Sequence, residues 1–165
     1  MKGTDKFLLA IVAGIVILVA VVLGVALLRP NQPSYQPDDT PEGVAHNYLL
    51  ALQLGRYERA LGYLSPSLPG VPAGVESFER DVEDHRWSFG YSDDDVSLAI
   101  EAVNVTGERA KVVVRKTTFY RGGLFDSGQY SQTFDMTLRH EEGAWKVADS
   151  DRYWADCWGS STGCQ

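Results

Sequence analysis

The chain has 165 residues, enough for one domain with appendages, and 15 Lys+Arg against 22 Asp+Glu give it a net charge of −7. Setting aside Asp5, Lys2, Lys6 and Arg29 leaves 21 acids and 12 bases beyond residue 29, a net −9. Such a field makes nucleic acid and anionic lipid surfaces poor partners and otherwise serves solubility.

Residues 1–6 lead into Phe7 to Leu28, "FLLAIVAGIVILVAVVLGVALL", 22 residues without a charge. As a helix this run would reach about 33 Å, which predicts a transmembrane anchor crossing a single lipid bilayer over residues 7–28. A cleaved signal is the alternative, with Gly24-Val25-Ala26 as its small-x-small site. Its apolar region would be shorter, roughly 7–15 residues. Lys2 and Lys6 precede the run and only Arg29 follows it. The flanking charges therefore predict a cytoplasmic amino terminus and a single-pass plasma-membrane protein with its body extracytoplasmic. Cys157 and Cys164, in "CWGSSTGC", fit that placement as a disulfide. The alternatives are a metal pair, which wants closer spacing and His partners, and a redox dithiol, which is usually Cys-x-x-Cys.

"RPNQPSYQPDDTPEG", from Arg29, holds four prolines and predicts an extended spacer over 29–40. A folded domain is expected over 41–153, with a tail over 154–165. Thr40 reads as an N-cap, Pro41 as the first helical residue and Glu42 as the favourable charge behind it. Val44, Tyr48 and Leu52, with Ala45 and Leu49, form one apolar stripe that Gly55 ends. Tyr57, Ala60, Leu61 and Leu64 repeat the helical spacing up to Ser65-Pro66. A third helix is predicted over Val75 to His85, with Val75, Phe78 and Val82 facing inward.

From Val96 the period changes to two, through Leu98, Ile100 and Ala102. Strands are predicted near 96–106, 109–121, 129–141 and 144–153, joined by "TGE", "GGLFDSG" and "EG". Connections this short make an antiparallel meander. The expected fold class is α+β: a transmembrane helix, then a cone-shaped domain of about three helices packed on a curved sheet of about four strands.

"PEGVAHNYLLALQLGRYERALGYLSPSL" and the closing "EEGAWKVAD" resemble the opening helices and final hairpin of the nuclear transport factor two-like superfamily, the cystatin-like cone. The likeness covers about residues 40–150. It implies the cone fold and little about activity, because that superfamily includes isomerases, dehydratases and dimerisation modules. No matched position transfers a catalytic residue.

Pairing Tyr120 with Tyr130 aligns Thr118 with Gln132, Lys116 with Phe134, Val114 with Met136 and Val112 with Leu138 on one face. The other face then pairs Arg115 with Asp135 favourably and Lys111 with Arg139 unfavourably. Extension through Glu142-Gly143 sets Leu138 against Val147, His140 against Trp145 and Met136 against Asp149, with Asp151 in the row of Lys116. The apolar face thus turns polar at one end, where Lys116, Thr118 and Gln132 would bind a small apolar or amphipathic ligand, with Tyr48 and Trp87 as walls. In an enzyme, Asp149 or Asp151 would be the general base and Tyr48 the donor to a developing oxyanion. Two simpler readings compete: a β-bulge turns these side chains to water, or Lys116 and the aspartates pair with each other.

Other signals are weaker. Asp93, Asp94 and Asp95 in "SDDDVS" lack the spacing of a calcium loop. His46, His85 and His140 show no ligand spacing, so no metal and no cofactor is expected. Val103, Val105 and Val113 would form an outward apolar stripe for a homodimer or an envelope protein partner, or meet Tyr153, Trp154 and Trp158 of the chain itself. The reading reached is a membrane-anchored, extracytoplasmic binding or protein-interaction module, not an enzyme. The alternatives are a small acid-base enzyme of isomerase, dehydratase or hydrolase type, and an assembly subunit of an envelope complex.

Overall fold

The computed structural model describes the backbone of residues 4–28, 34–90, 95–122 and 126–164, and side chains within 11–24, 34–90, 95–120 and 128–164. The chain divides into two units, Met1–Ser34 and Tyr35–Gln165. The first holds helix α1, Thr4–Leu28. Among the described residues no helix is long and apolar enough to cross a membrane. The expected anchor over 7–28 and the single-pass plasma-membrane placement are corrected accordingly. The side chains of Lys2, Lys6 and Arg29, on which the orientation rested, lie outside the described residues, as do Asp93, Asp94 and Gly123.

The second unit is α+β. Helices α2 (Pro41–Gln53), α3 (Tyr57–Tyr63) and α4 (Val75–Asp84) precede strands β1 (Val96–Thr106), β2 (Arg109–Gly122), β3 (Asp126–Glu141) and β4 (Ala144–Ser150). The four strands pair antiparallel in chain order. Helix α2 starts as its sequence dictates, with the Gly43 N–H donating to Thr40 Oγ1 at 3.1 Å and Pro41 in the first turn. Its stripe of Val44, Tyr48, Leu49 and Leu52 joins Phe78, Val82, Val112, Val114, Met136, Leu138 and Val147 in one core. Val75, expected inside, is exposed.

The spacer ends earlier than its prolines suggest. Asn47, fully buried, accepts from the Gln36 N–H at 2.7 Å and donates to the Gln36 carbonyl at 2.7 Å and to Asp38 Oδ1 at 2.5 Å. Arg59 stacks over the Tyr35 ring at 3.4 Å. A Cβ on Gly43 would overlap the Pro37 carbonyl oxygen, so only glycine admits this approach. The compact unit Tyr35–Gln165 thus takes in residues 35–40, ahead of the expected start at 41.

Strand register departs from expectation in three places. Between β2 and β3 the partners are Lys116–Gln132, Val114–Phe134 and Val112–Met136, two residues away from the expected pairing. An even shift preserves every face. Lys111 then faces Thr137 and its Nζ reaches diagonally to Asp135 Oδ2 at 2.6 Å, while Arg139 faces Arg109. A bulge between Ile100 and Ala102 pairs Val103 with Val112 and Ala102 with Val113. Val103 and Val105 thus share a face with the core residues, while Val113 lies on the other, and the expected stripe does not form. A second irregularity, at Thr137/Leu138, pairs Ser150 with Met136 and Asp149 with Thr137.

The β3–β4 turn combines Glu142 at φ 51° with Gly143 at φ 85°. Two successive positive φ values suit Asn-Gly and not a residue with a long side chain. Glu142→Asn is expected to raise stability by about 0.5–1 kcal/mol in urea unfolding; an unchanged or lower value would count against this description of the turn.

Candidate functional site

The inner face of the sheet runs from apolar to polar. Its rows are Val112 with Met136, Val114 with Phe134, then Lys116 with Gln132, Thr118 with Tyr130, and Tyr120 with Gly128. Lys116 and Thr118 are buried, Lys116 at 4% exposure, whereas the Tyr120 and Tyr130 rings stand more than half exposed. Gln132 Oε1 accepts from Arg152 Nη2 at 3.3 Å. Three of the expected ligand-binding side chains, Lys116, Thr118 and Gln132, therefore do come together.

Tyr153 closes this end, and sequence reasoning assigned it no such place. Its backbone is left-handed, φ 58°, a costly conformation for a tyrosine that surrounding contacts must hold. The Tyr153 N–H donates to the Ser88 carbonyl at 3.0 Å, and its own carbonyl accepts from the Tyr48 hydroxyl at 2.6 Å. The Tyr153 ring tilts against Phe134 at 5.7 Å, with Lys116 Nζ 5.9 Å from its centroid. A Cβ at Gly90 would come within 3.3 Å of both the Tyr153 hydroxyl and Lys116 Nζ, and Gly90 also takes φ +70°. The chain before β1 thus lies directly over the lysine.

The remaining candidates are placed elsewhere. Tyr48 is fully buried and its hydroxyl is committed to the Tyr153 carbonyl, so it supports the site and does not face a ligand. Trp87 is 82% exposed, away from the buried Lys116 and Thr118. The bulge at Thr137/Leu138 turns Asp149 to solvent, and Asp151 is exposed with Oδ2 accepting from the Asp135 N–H at 3.0 Å. The expectations that Asp149 faces Met136 and that Asp151 lies in the row of Lys116 are corrected. Cys157 and Cys164 are disulfide-bonded, with Cα atoms 5.0 Å apart. Beyond them lies a cleft of about 320 Å³ lined by Gly70, Asp81, Asp84 and Cys164, and a shallower one of about 660 Å³ lies along Leu54–Arg59.

Sequence reasoning named Trp158 only as an aromatic that folds back on the outer valines; among the described residues it is the largest fully buried side chain. It stacks on Phe78 at 5.2 Å, meets Trp154 edge-on at 4.9 Å, and donates from Nε1 to Asp81 Oδ2 at 2.8 Å. The density of aromatics after residue 152 was the available signal.

No protein-family model and no curated protein matches the chain. Among solved structures, it is similar to a SEC-C motif containing protein from Rhodopseudomonas palustris, with 17% identity, TM-score 0.49, and 70% of this chain and 80% of the other covered. It is also similar to an NTF2-like protein with a cystatin-like fold from Novosphingobium aromaticivorans, with 15% identity, TM-score 0.44 and coverage of 66% and 75%. A dehydratase candidate of the NTF2-like family from Streptomyces avermitilis shares 17% identity at TM-score 0.41, with coverage of 65% and 88%. Likenesses this distant assign no activity to the chain, and the fold by itself is compatible with binding or with catalysis.

Burial holds the Tyr48 hydroxyl well above its ordinary pKa of 10.0. The folded protein keeps this proton where the unfolded chain loses it, so the contribution to stability is complete below about pH 10 and declines as pH rises further. Tyr48→Phe leaves the Tyr153 carbonyl without its donor and is expected to cost about 1–3 kcal/mol near neutrality. Urea unfolding at about pH 8 and about pH 11 should show a smaller alkaline loss in the variant than in the wild type. Equal losses would mean that Tyr48 is not buried in this way.

Proposed function

We propose that the Tyr35–Gln165 unit is a non-catalytic binding module that takes a small amphipathic molecule with an anionic group at the polar end of the sheet's inner face. The observation that carries this reading is the convergence of Lys116, Gln132 and Arg152 on that end, in a part of the chain whose net charge is −9 by the count above. Positive charge drawn together within a negative surround focuses the field on an anion. The exposed Tyr120 and Tyr130 rings supply apolar area with polar tips for the remainder of the ligand.

The acid-base enzyme loses its base in this arrangement, because Asp149 and Asp151 stand on the solvent side. The assembly subunit loses the stripe on which it rested, since Val103 and Val113 occupy opposite faces.

Calorimetric titration of the full chain with 4-phenylbutyrate and with its neutral amide tests the proposal. The carboxylate should bind at least about tenfold more tightly than the amide, and Lys116→Met should remove that preference, the scale of one charge-assisted hydrogen bond. Asp149→Asn should leave binding unchanged. Equal affinity for acid and amide, or a preference that survives Lys116→Met, would overturn the reading.

A further inference from the structure

His85 follows α4 and is held from both sides. Its Nδ1 lies 2.9 Å from the Asp81 carbonyl oxygen, and since a carbonyl only accepts, Nδ1 carries the hydrogen and Nε2 presents its lone pair. Nε2 stands 3.8 Å from Cys157 Sγ, and together with Cys164 Sγ the three donor atoms lie within 4.8 Å of one another. A backbone carbonyl that fixes the far ring nitrogen is the usual support of a metal-binding histidine. The Trp158–Asp81 hydrogen bond joins α4 to the segment bearing Cys157, so the histidine and that cysteine belong to one packed body.

We propose that His85, Cys157 and Cys164 form a redox-gated Zn²⁺ site, closed as a disulfide when oxidised and metal-bound when reduced. Tetrahedral bonds of about 2.3 Å to sulfur and about 2.0 Å to nitrogen place ligand atoms roughly 3.3–3.8 Å apart, the separation that His85 and Cys157 already have. A dithiol reductant opens the disulfide, giving up two electrons and two protons and leaving as its own disulfide. Zn²⁺ then binds two thiolates and the neutral imidazole, and the two thiol protons are released. The sulfurs separate through the intervening turn, where Gly163 takes φ +62°. Cys164 also lines the 320 Å³ cleft with Asp81 and Asp84, from which water or a small ligand fills the fourth position.

The test uses the full chain, reduced with a dithiol that is then removed without air, and titrated with Co²⁺ and afterwards Zn²⁺. One equivalent of Co²⁺ should give thiolate-to-metal charge-transfer absorbance, and Zn²⁺ should displace it. The oxidised chain should bind neither ion. His85→Ala should weaken Zn²⁺ binding by at least about tenfold while still forming the disulfide, and circular dichroism of the oxidised variant checks its fold. Absence of stoichiometric Co²⁺ binding overturns the proposal, as does an affinity unchanged in His85→Ala. So does a reduced chain that unfolds and is not restored by Zn²⁺.

Discussion

The Tyr48–Tyr153 hydrogen bond connects the first helix of the domain to the chain leaving the last strand, across 105 positions of sequence. Without it the Tyr153 carbonyl would lose the hydroxyl that donates to it and the left-handed backbone one of the contacts that hold it. Both the packing and the candidate site depend on this point. The backbone that Tyr48 fixes is the one that sets the Tyr153 ring against Phe134 and beside Lys116. Ser88 holds the other side, with its carbonyl on the Tyr153 N–H and its hydroxyl on the Trp154 carbonyl at 2.7 Å.

The ends of the domain are secured by different chemistry. At the start, a buried amide does the holding: Asn47 satisfies both its oxygen and its nitrogen on the Gln36–Asp38 segment. At the close, apolar burial dominates, with Trp158 packed among Phe78, Phe89 and Trp154 and its one polar atom bonded to Asp81. A buried indole of this kind contributes several kcal/mol, so the segment after β4 belongs to the core and is not a tail.

Much of the fold was legible because periodicity reports burial directly. The helix stripe of Val44, Tyr48 and Leu52 and the alternation from Val96 fixed the element types, and the Thr40 cap fixed one boundary. Register was legible only modulo two, since the pattern of apolar residues is unchanged by a two-residue slip, and charge did not decide it, because Arg139 faces a cation in either register. The bulges near Glu101 and Leu138 carry no local signal in composition, yet each inverts a face, and so Val103 and Asp149 were misplaced. The apolar run at Phe7 to Leu28 was judged on its length in sequence, whereas no described helix reaches the length and apolarity a crossing requires. Of the candidate site, Lys116, Thr118 and Gln132 were found because polar residues interrupted an apolar row. Tyr153 was not, because nothing in a sequence marks a strained backbone held by a distant hydroxyl.

In this account one buried hydroxyl organises a cationic corner through an intermediate residue, so the two ends of that relay must be energetically linked. A double-mutant cycle of Tyr48→Phe and Lys116→Met, read by urea unfolding, measures the link directly. Relay through Tyr153 predicts a coupling of about 0.5–3 kcal/mol between the two positions. Effects that add to within about 0.3 kcal/mol would contradict it, and would mean that the helix anchor and the lysine corner are independent features.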